Sequence, residues 1–210
     1  MKYHRIPDET IGRLPLYLRE LRLLSQQGRQ NIKSGEFADS LGVNSAQIRK
    51  DLSYFGAFGT PGVGYKVKKL LRQLCSILKL KNIHKVALVG VGNLGSALLS
   101  YSGFAQFGFE IVAAFDSDPN KIGSIRNNVT VEDTSKLSTL KNRGIKFAII
   151  AVPASAAKEI ADQLVKAGIT GILNFAPSCL VVPKKVKVIS IDIAIDLARL
   201  PYYSRVTLNK

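Results

Sequence analysis

Leu14, Leu18, Leu21 and Leu24 recur at three-to-four spacing ahead of Gly28, which predicts an amphipathic helix with a single packing face. A short second helix is predicted from Ser34 to Leu41-Gly42, and a third opens at Asn44, where Gln47 three residues on completes a capping pattern. Residues 56–65 break the helical pattern with four glycines and a proline, as a small hairpin or wing would. Val67, Leu70, Leu71, Leu74 and Leu78 then restore helical spacing, with Lys66, Lys68, Lys69 and Arg72 off that stripe, and this linker helix is expected to end near Lys81-Asn82. From Lys85 the pattern changes. Short apolar runs at 85–91, 110–116, 146–152, 171–174 and 187–191 alternate with helical segments, the signature of a Rossmann-like, doubly wound parallel sheet. A short closing helix is predicted from Asp192 to Leu200, stopped by Pro201. The chain thus divides into a helical unit over 1–80, an α/β unit over 81–191 and a terminal helix and tail over 192–210.

Two segments carry candidate chemistry. In a helical projection from residue 44 to 55, Ile48, Leu52 and Phe55 fall on one side, while Ala46, Gln47, Lys50, Ser53 and Tyr54 fall on the other with Arg49 at its flank. The first face suits a core; the second can reach base edges and phosphates, as a recognition helix in a major groove does. The glycine-rich segment after it, with Gly62, Val63, Gly64 and Tyr65, suits a wing whose backbone and Lys66 approach phosphates or the minor groove.

The second segment runs through Gly90, Val91, Gly92, Asn93, Leu94 and Gly95, a GxGxxG turn between a predicted strand and a predicted helix. Gly90 permits the tight turn, Gly92 lets the backbone approach a pyrophosphate, and Gly95 lets helix and strand pack closely. Asp116 closes the second strand 21 positions after Gly95, where a carboxylate can bind ribose hydroxyls and repel a 2′-phosphate, so NAD(H) is favoured over NADP(H). Asp118 is a second candidate for that role or a turn residue. Further ligand contacts are expected at other strand ends, namely Val152-Pro153 and Asn174-Phe175.

Charge sharpens the first assignment. Thirty Lys and Arg against 15 Asp and Glu leave a net charge of +15, and residues 1–84 hold 15 basic and 6 acidic side chains, a net +9. A polyanionic partner such as DNA fits. Cys75 and Cys179 stand far apart and outside metal spacing, so neither a disulfide framework nor a metal site is expected. No apolar run approaches the ~18 residues of a membrane span, and the first residues do not lead into a signal-peptide core, so a cytoplasmic protein is expected.

The string from Gln47 to Gly56, together with Gly62 to Tyr65, Gly90 to Leu98 and Gly171 to Pro177, resembles the Rex family of bacterial redox-sensing transcriptional repressors over nearly the whole chain. The resemblance implies a winged-helix domain on a Rossmann domain, a C-terminal helix exchanged between the subunits of a homodimer, and operator binding that NADH weakens. It further implies a sensing network of Arg19, Tyr101 in the helix after the glycine turn, and Asp192. An ion pair between Arg19 and the partner subunit's Asp192 supports the DNA-competent form, and NADH shifts Tyr101 to hydrogen-bond Asp192. Two positions depart from the family pattern: Pro61 stands in the wing where some relatives carry a basic residue, and Ile193 follows the sensing aspartate where some carry an aromatic.

Two other functions compete. An NAD-dependent dehydrogenase needs a general acid or base beside the nicotinamide and a substrate domain to close the site. The two histidines, His4 in the basic N-terminal tail and His84 just before the first strand, are badly placed for that, so no catalytic residue is assigned. A regulator that binds coenzyme A on a similar fold is the third candidate, and Asp116 argues mildly against it.

Overall fold

The structure, a computed structural model, describes residues 6–206, so His4 lies outside the described residues. The chain forms two compact units, Met1–Asn82 and Ile83–Lys210.

In the first unit, α1 (Asp8–Gln26) buries Leu14, Tyr17, Leu18 and Leu21 completely, the face that the leucine spacing predicts. The helix runs through Pro15 in its interior, where proline removes one backbone hydrogen bond and crowds the carbonyl four residues back, against the burial of the leucine face on either side of it. Next come β1 (Asn31–Ile32), α2 (Ser34–Leu41), α3 (Ser45–Ser53), β2 (Gly59–Thr60), β3 (Gly64–Lys66) and α4 (Val67–Ile77). Gly42, left-handed at φ 64°, ends α2, and Asn44 opens α3 by accepting the Ala46 N–H at 2.8 Å. The order helix, helix, tight turn, helix, hairpin is as expected. The hairpin joins a three-stranded antiparallel sheet in the order β1-β3-β2, with Ile32 and Gly59 both paired to Tyr65. Tyr17, Phe37 and Tyr65 pack ring against ring through this core, tilted and edge-on, with centroids 5.7 and 6.4 Å apart. α4 stops at Ile77, earlier than expected, and the chain turns at Lys79 with φ 56°.

The second unit contains β4 (His84–Val89), α5 (Asn93–Leu99), α6 (Gly103–Gln106), β5 (Phe109–Asp116), β6 (Ile125–Arg126), β7 (Val129–Asp133), a 3-10 helix (Thr134–Lys141), β8 (Phe147–Ile150), α7 (Ala154–Lys166), β9 (Gly171–Asn174), β10 (Lys187–Ser190) and α8 (Ile193–Val206). The seven strands lie in the order β10-β9-β8-β4-β5-β7-β6, all pairs parallel except β6 with β7. Leaving aside β6, this is the doubly wound order whose reversal point lies between β4 and β8. Alternate residues feed two cores. Ala87, Val89, Phe115, Ala148 and Ile150 pack with Ile160 and Leu164 of α7, while Val86, Leu88, Ala114 and Ile149 pack with Leu99 on the other face.

Two expectations need correction here. β6 and β7 escape the hydrophobic pattern because they lie at the sheet margin, where Val131 alone is buried. α8 passes through Pro201 to Val206 instead of stopping before it: proline's fixed φ lies in the helical range, although its ring removes one backbone hydrogen bond and crowds the carbonyl four residues back. No helix among the described residues is long and apolar enough to cross a membrane.

Candidate dinucleotide site and nucleic-acid interface

The glycine turn after β4 sits between the strands that flank it: the Gly90 N–H donates to the Phe115 carbonyl and the Ala151 N–H to that of Val89, both at 2.8 Å. Gly90 is buried at φ 94°, and a side chain there would strike the Ala151 carbonyl; one at Gly95 would strike the carbonyl of Gly90. Gly92 differs. A methyl added to it would meet no protein atom, so the space above it is open to a ligand. Asn93 and Leu94 are exposed in the first turn of α5, where backbone N–H groups have no partner within the helix.

Asp116 ends β5 almost fully buried and is already at work. Its Oδ2 accepts the Val91 N–H at 2.7 Å and Lys121 Nζ at 3.2 Å, and its Oδ1 accepts the Asp118 N–H at 2.9 Å. Burial would raise its pKa, but the N–H groups of Asp118 and Val91 and the Lys121 ammonium outweigh this and hold the carboxyl below its usual range. A carboxylate offers about four acceptor positions, so capacity remains for a ribose hydroxyl. Asp118 is a turn residue: its Oδ1 accepts the Asn120 N–H at 3.0 Å.

A cavity of about 270 Å³ opens beside Gly90 and Asp116, lined also by Thr134, Val152, Ala156 and Glu159. Val152 and Asp116 thus face one space, while Pro153 is exposed at the start of α7. Asn174 and Phe175, expected as ligand contacts, are both engaged within the protein. Asn174 is wholly buried and braces its own loop, donating to the carbonyls of Ala176 and Ser178 and accepting the Ala176 N–H at 3.0 Å; Phe175 packs against the second core.

In the other unit, α3 buries Ile48 and Leu52 and exposes Ala46, Arg49, Lys50 and Ser53. Arg49 Nη1 donates to Ser34 Oγ at 2.9 Å, which ties α3 to α2. A groove of about 560 Å³ runs between α3 and the wing, lined by Lys33, Ser34, Arg49, Ser53 and the backbone of Gly59 and Gly62. Gly62, Val63 and Pro61 are exposed at the wing turn. Gly64 and Tyr65 serve the fold instead: a side chain at Gly64 would collide with the Ile32 carbonyl, and the Tyr65 ring is buried edge-on against Phe37. Strand alternation turned Tyr65 inward, and Tyr54 is half-buried.

Gln47 also departs from its expected outward role. Its Nε2 donates to Asp51 Oδ1 at 2.7 Å. Asp51 is inaccessible to solvent and also accepts from Thr10 Oγ1 at 3.0 Å, Arg13 Nε and Nη2 at 2.6 and 2.9 Å, and Tyr17 Oη at 2.7 Å. Burial would raise the Asp51 pKa, but the bonds from Arg13, Tyr17, Gln47 and Thr10 prevail and hold the carboxyl well below the usual range. Burial first, and then Asp51, push the Tyr17 hydroxyl pKa upward. This cluster was not anticipated. Its sequence signal was an aspartate on the same helical face as Ile48, Leu52 and Phe55, where an apolar residue is the norm.

Of the residues expected to form the sensing network, Arg19 is exposed on α1. α5 ends at Leu99, so Tyr101 lies in the connection to α6 and not in the helix; it is 60% exposed, its ring edge-on to Phe104 at 5.2 Å. Asp192 caps α8, Oδ1 accepting the N–H groups of Ala194 and Ile195 at 3.0 and 3.2 Å, with Ile193 exposed beside it.

Residues 81–178 match the "CoA binding domain" family, and residues 5–53 match the "Putative DNA-binding protein N-terminus" family. The chain is 48% identical over 206 residues to the redox-sensing transcriptional repressor Rex of Carboxydothermus hydrogenoformans, covering 98% of this chain and 99% of the relative. It is 49% identical over 198 residues to Rex of Chloroflexus aurantiacus, covering 94% and 93%. Among solved structures it is similar to RSP in complex with β-NAD+ and operator DNA, with TM-score 0.91, 34% identity and coverage of 97% of this chain and 94% of that one. The complex of RSP with β-NADH gives TM-score 0.87, 32% identity and coverage of 96% and 95%, and RSP is described as a Rex-family repressor. These relatives are named as repressors and not as dehydrogenases. With near-full-length identity to them, and both units matched, the chain belongs to the Rex family of redox-sensing transcriptional repressors.

Proposed function

We propose that this chain represses transcription as a cytoplasmic homodimer that grips operator DNA through α3 and the wing and lets go when NADH fills the site at Gly90–Gly95. The observation that carries this is the conjunction, in one basic chain, of an α3–wing groove with a glycine turn whose Gly92 is open to a ligand beside a buried acidic strand end. Lys50, Arg49 and Ser53 on α3, with Gly62 and Val63 at the wing tip, meet the DNA. The backbone around Gly92 and Asn93 meets the pyrophosphate, and Asp116 accepts a ribose hydroxyl, where its charge disfavours a 2′-phosphate and so NADP(H). Coenzyme A, the ligand in the matched family's description, carries a 3′-phosphate at its ribose, which the same carboxylate opposes.

α8 supports the dimer. Ile193, Ile195, Leu197 and Leu200 are all more than half exposed, and an apolar helix left in water calls for a partner surface. The family resemblance supplies that partner as the other subunit. In the DNA-competent form Arg19 pairs with the partner subunit's Asp192; with NADH bound, Tyr101 takes the Asp192 hydrogen bond. The recognition helices then no longer match two half-sites one helical turn, ~34 to 36 Å, apart.

The test is fluorescence anisotropy of a labelled palindromic operator at fixed salt, since phosphate contacts make affinity steeply salt-dependent, titrated with NADH and with NAD+. Release by NADH at far lower concentration than by NAD+ is expected. Tight operator binding indifferent to both nucleotides would overturn the ligand assignment, and no sequence-selective binding would overturn the repressor assignment.

A further inference from the structure

Within the first unit, α1 packs chiefly on α4 and α2, and α3 packs chiefly on α2. Among the described residues, the side-chain hydrogen bonds from α1 to α3 converge on the Asp51 carboxylate. Thr10, Arg13 and Tyr17, spaced three and four along α1, present donors from two successive turns of one face. Gln47, one turn before Asp51 on α3, supports the same carboxylate from its own helix. Both oxygens are occupied, and the group has no access to solvent.

A buried charge is a poor way merely to glue two helices. Replacing such clusters with apolar side chains of similar volume is often neutral or stabilising, because desolvation offsets the attraction. Directional bonds do something packing does not: they fix rotation and axial register, so that α3 must follow α1. Arg19 lies on that same helix, two residues beyond Tyr17. Resting on the Arg19 role proposed above, we infer that Asp51 is the joint that carries a displacement of α1 into the recognition helix. It is a positioning residue that sets the coupling between NADH and operator, not the affinity of the free protein for NADH.

The effect of NADH on operator affinity is a coupling factor, typically ~5- to 150-fold in allosteric proteins. The experiment measures that factor on the full-length dimer as operator Kd with and without saturating NADH, together with NADH affinity in the absence of DNA. The wild type is compared with Asp51→Asn, with Tyr17→Phe, which deletes one bond and keeps the ring, and with Phe37→Leu. The last removes the ring that packs against Tyr17 but none of the cluster's hydrogen bonds. Asp51→Asn and Tyr17→Phe are expected to keep NADH affinity within about twofold while the coupling factor shrinks at least about threefold, with Phe37→Leu keeping the full factor. If the two cluster variants bind operator more weakly yet keep the wild-type factor, or if Phe37→Leu loses it equally, Asp51 only stabilises the domain and the inference is overturned. Should Asp51→Asn fail to fold, Tyr17→Phe decides. A wild type that NADH does not release overturns the sensing proposal itself, a result read from the wild-type arm alone.

Discussion

Gly90 and Gly92 lie two residues apart in one turn and answer to different constraints, the first to protein backbone and the second to open space. Gly90→Ala is therefore expected to cost about 2 kcal/mol or more of stability, from a left-handed backbone and the collision with Ala151, seen as a lowered Tm. Gly92→Ala should fold with a wild-type Tm and lose NADH binding by about tenfold or more in calorimetric titration, the cost of displacing a backbone–phosphate contact. Equal effects of the two changes on folding would show that the turn is purely structural. Asp51 gives a pH signature. Its folded pKa is depressed below the unfolded value of ~3.9, so its contribution to stability is fully present above that value and is lost as pH falls through the folded one. The charged and titratable groups facing it are Arg13 and Tyr17 of α1. Tm is expected to fall more steeply with acidification below about pH 4 in the wild type than in Asp51→Asn; parallel profiles would mean the carboxylate is not the group responsible. The packing constraints on Gly90 and Gly95 were legible in the sequence because a strand, a turn and a helix start must meet there. Asp51 was not, because its partners Thr10, Arg13 and Tyr17 lie 34 to 41 positions away.

At the scale of elements, the period-3.6 pattern located α1 and α3, and the glycine count located the wing, since these signals are local. Which side chains face outward proved less legible. Gln47 projects toward the recognition face yet is drawn to Asp51, and Tyr65 alternates into the core against Phe37. The outward face of α3 thus narrows to Ala46, Arg49, Lys50 and Ser53. Lys50→Ala should weaken operator binding about tenfold, lower the slope of log affinity against log salt by about 0.9 if it neutralises one phosphate, and leave NADH affinity unchanged. An unaltered operator Kd at low salt would remove Lys50 from the interface.

For the whole molecule, linkage requires that operator weaken NADH binding by the factor with which NADH weakens operator binding. Calorimetry with and without saturating operator checks this, and an unchanged NADH affinity would refute the two-state scheme. The dimer has its own test. Leu197→Glu with Leu200→Glu places charges on the exposed apolar face of α8, and sedimentation velocity is expected to show monomers that bind a palindromic operator far more weakly. A double variant that stays dimeric would take α8 out of the interface.

The sequence by itself determined the succession of a helical unit and an α/β unit, the wing, the positions of the principal strands and the glycine turn, because each is written in contiguous residues by hydrophobic period, glycine placement and capping. Only the tertiary structure decided that β6 and β7 extend the sheet, that Asn174 braces its own loop, that Asp116 also anchors the Val91 N–H, and that Asp51 binds α1 to α3. Edge strands bury too little apolar surface to leave a pattern. A buried polar side chain, for its part, takes whatever donor or acceptor the fold brings within reach, which its own segment of chain does not specify.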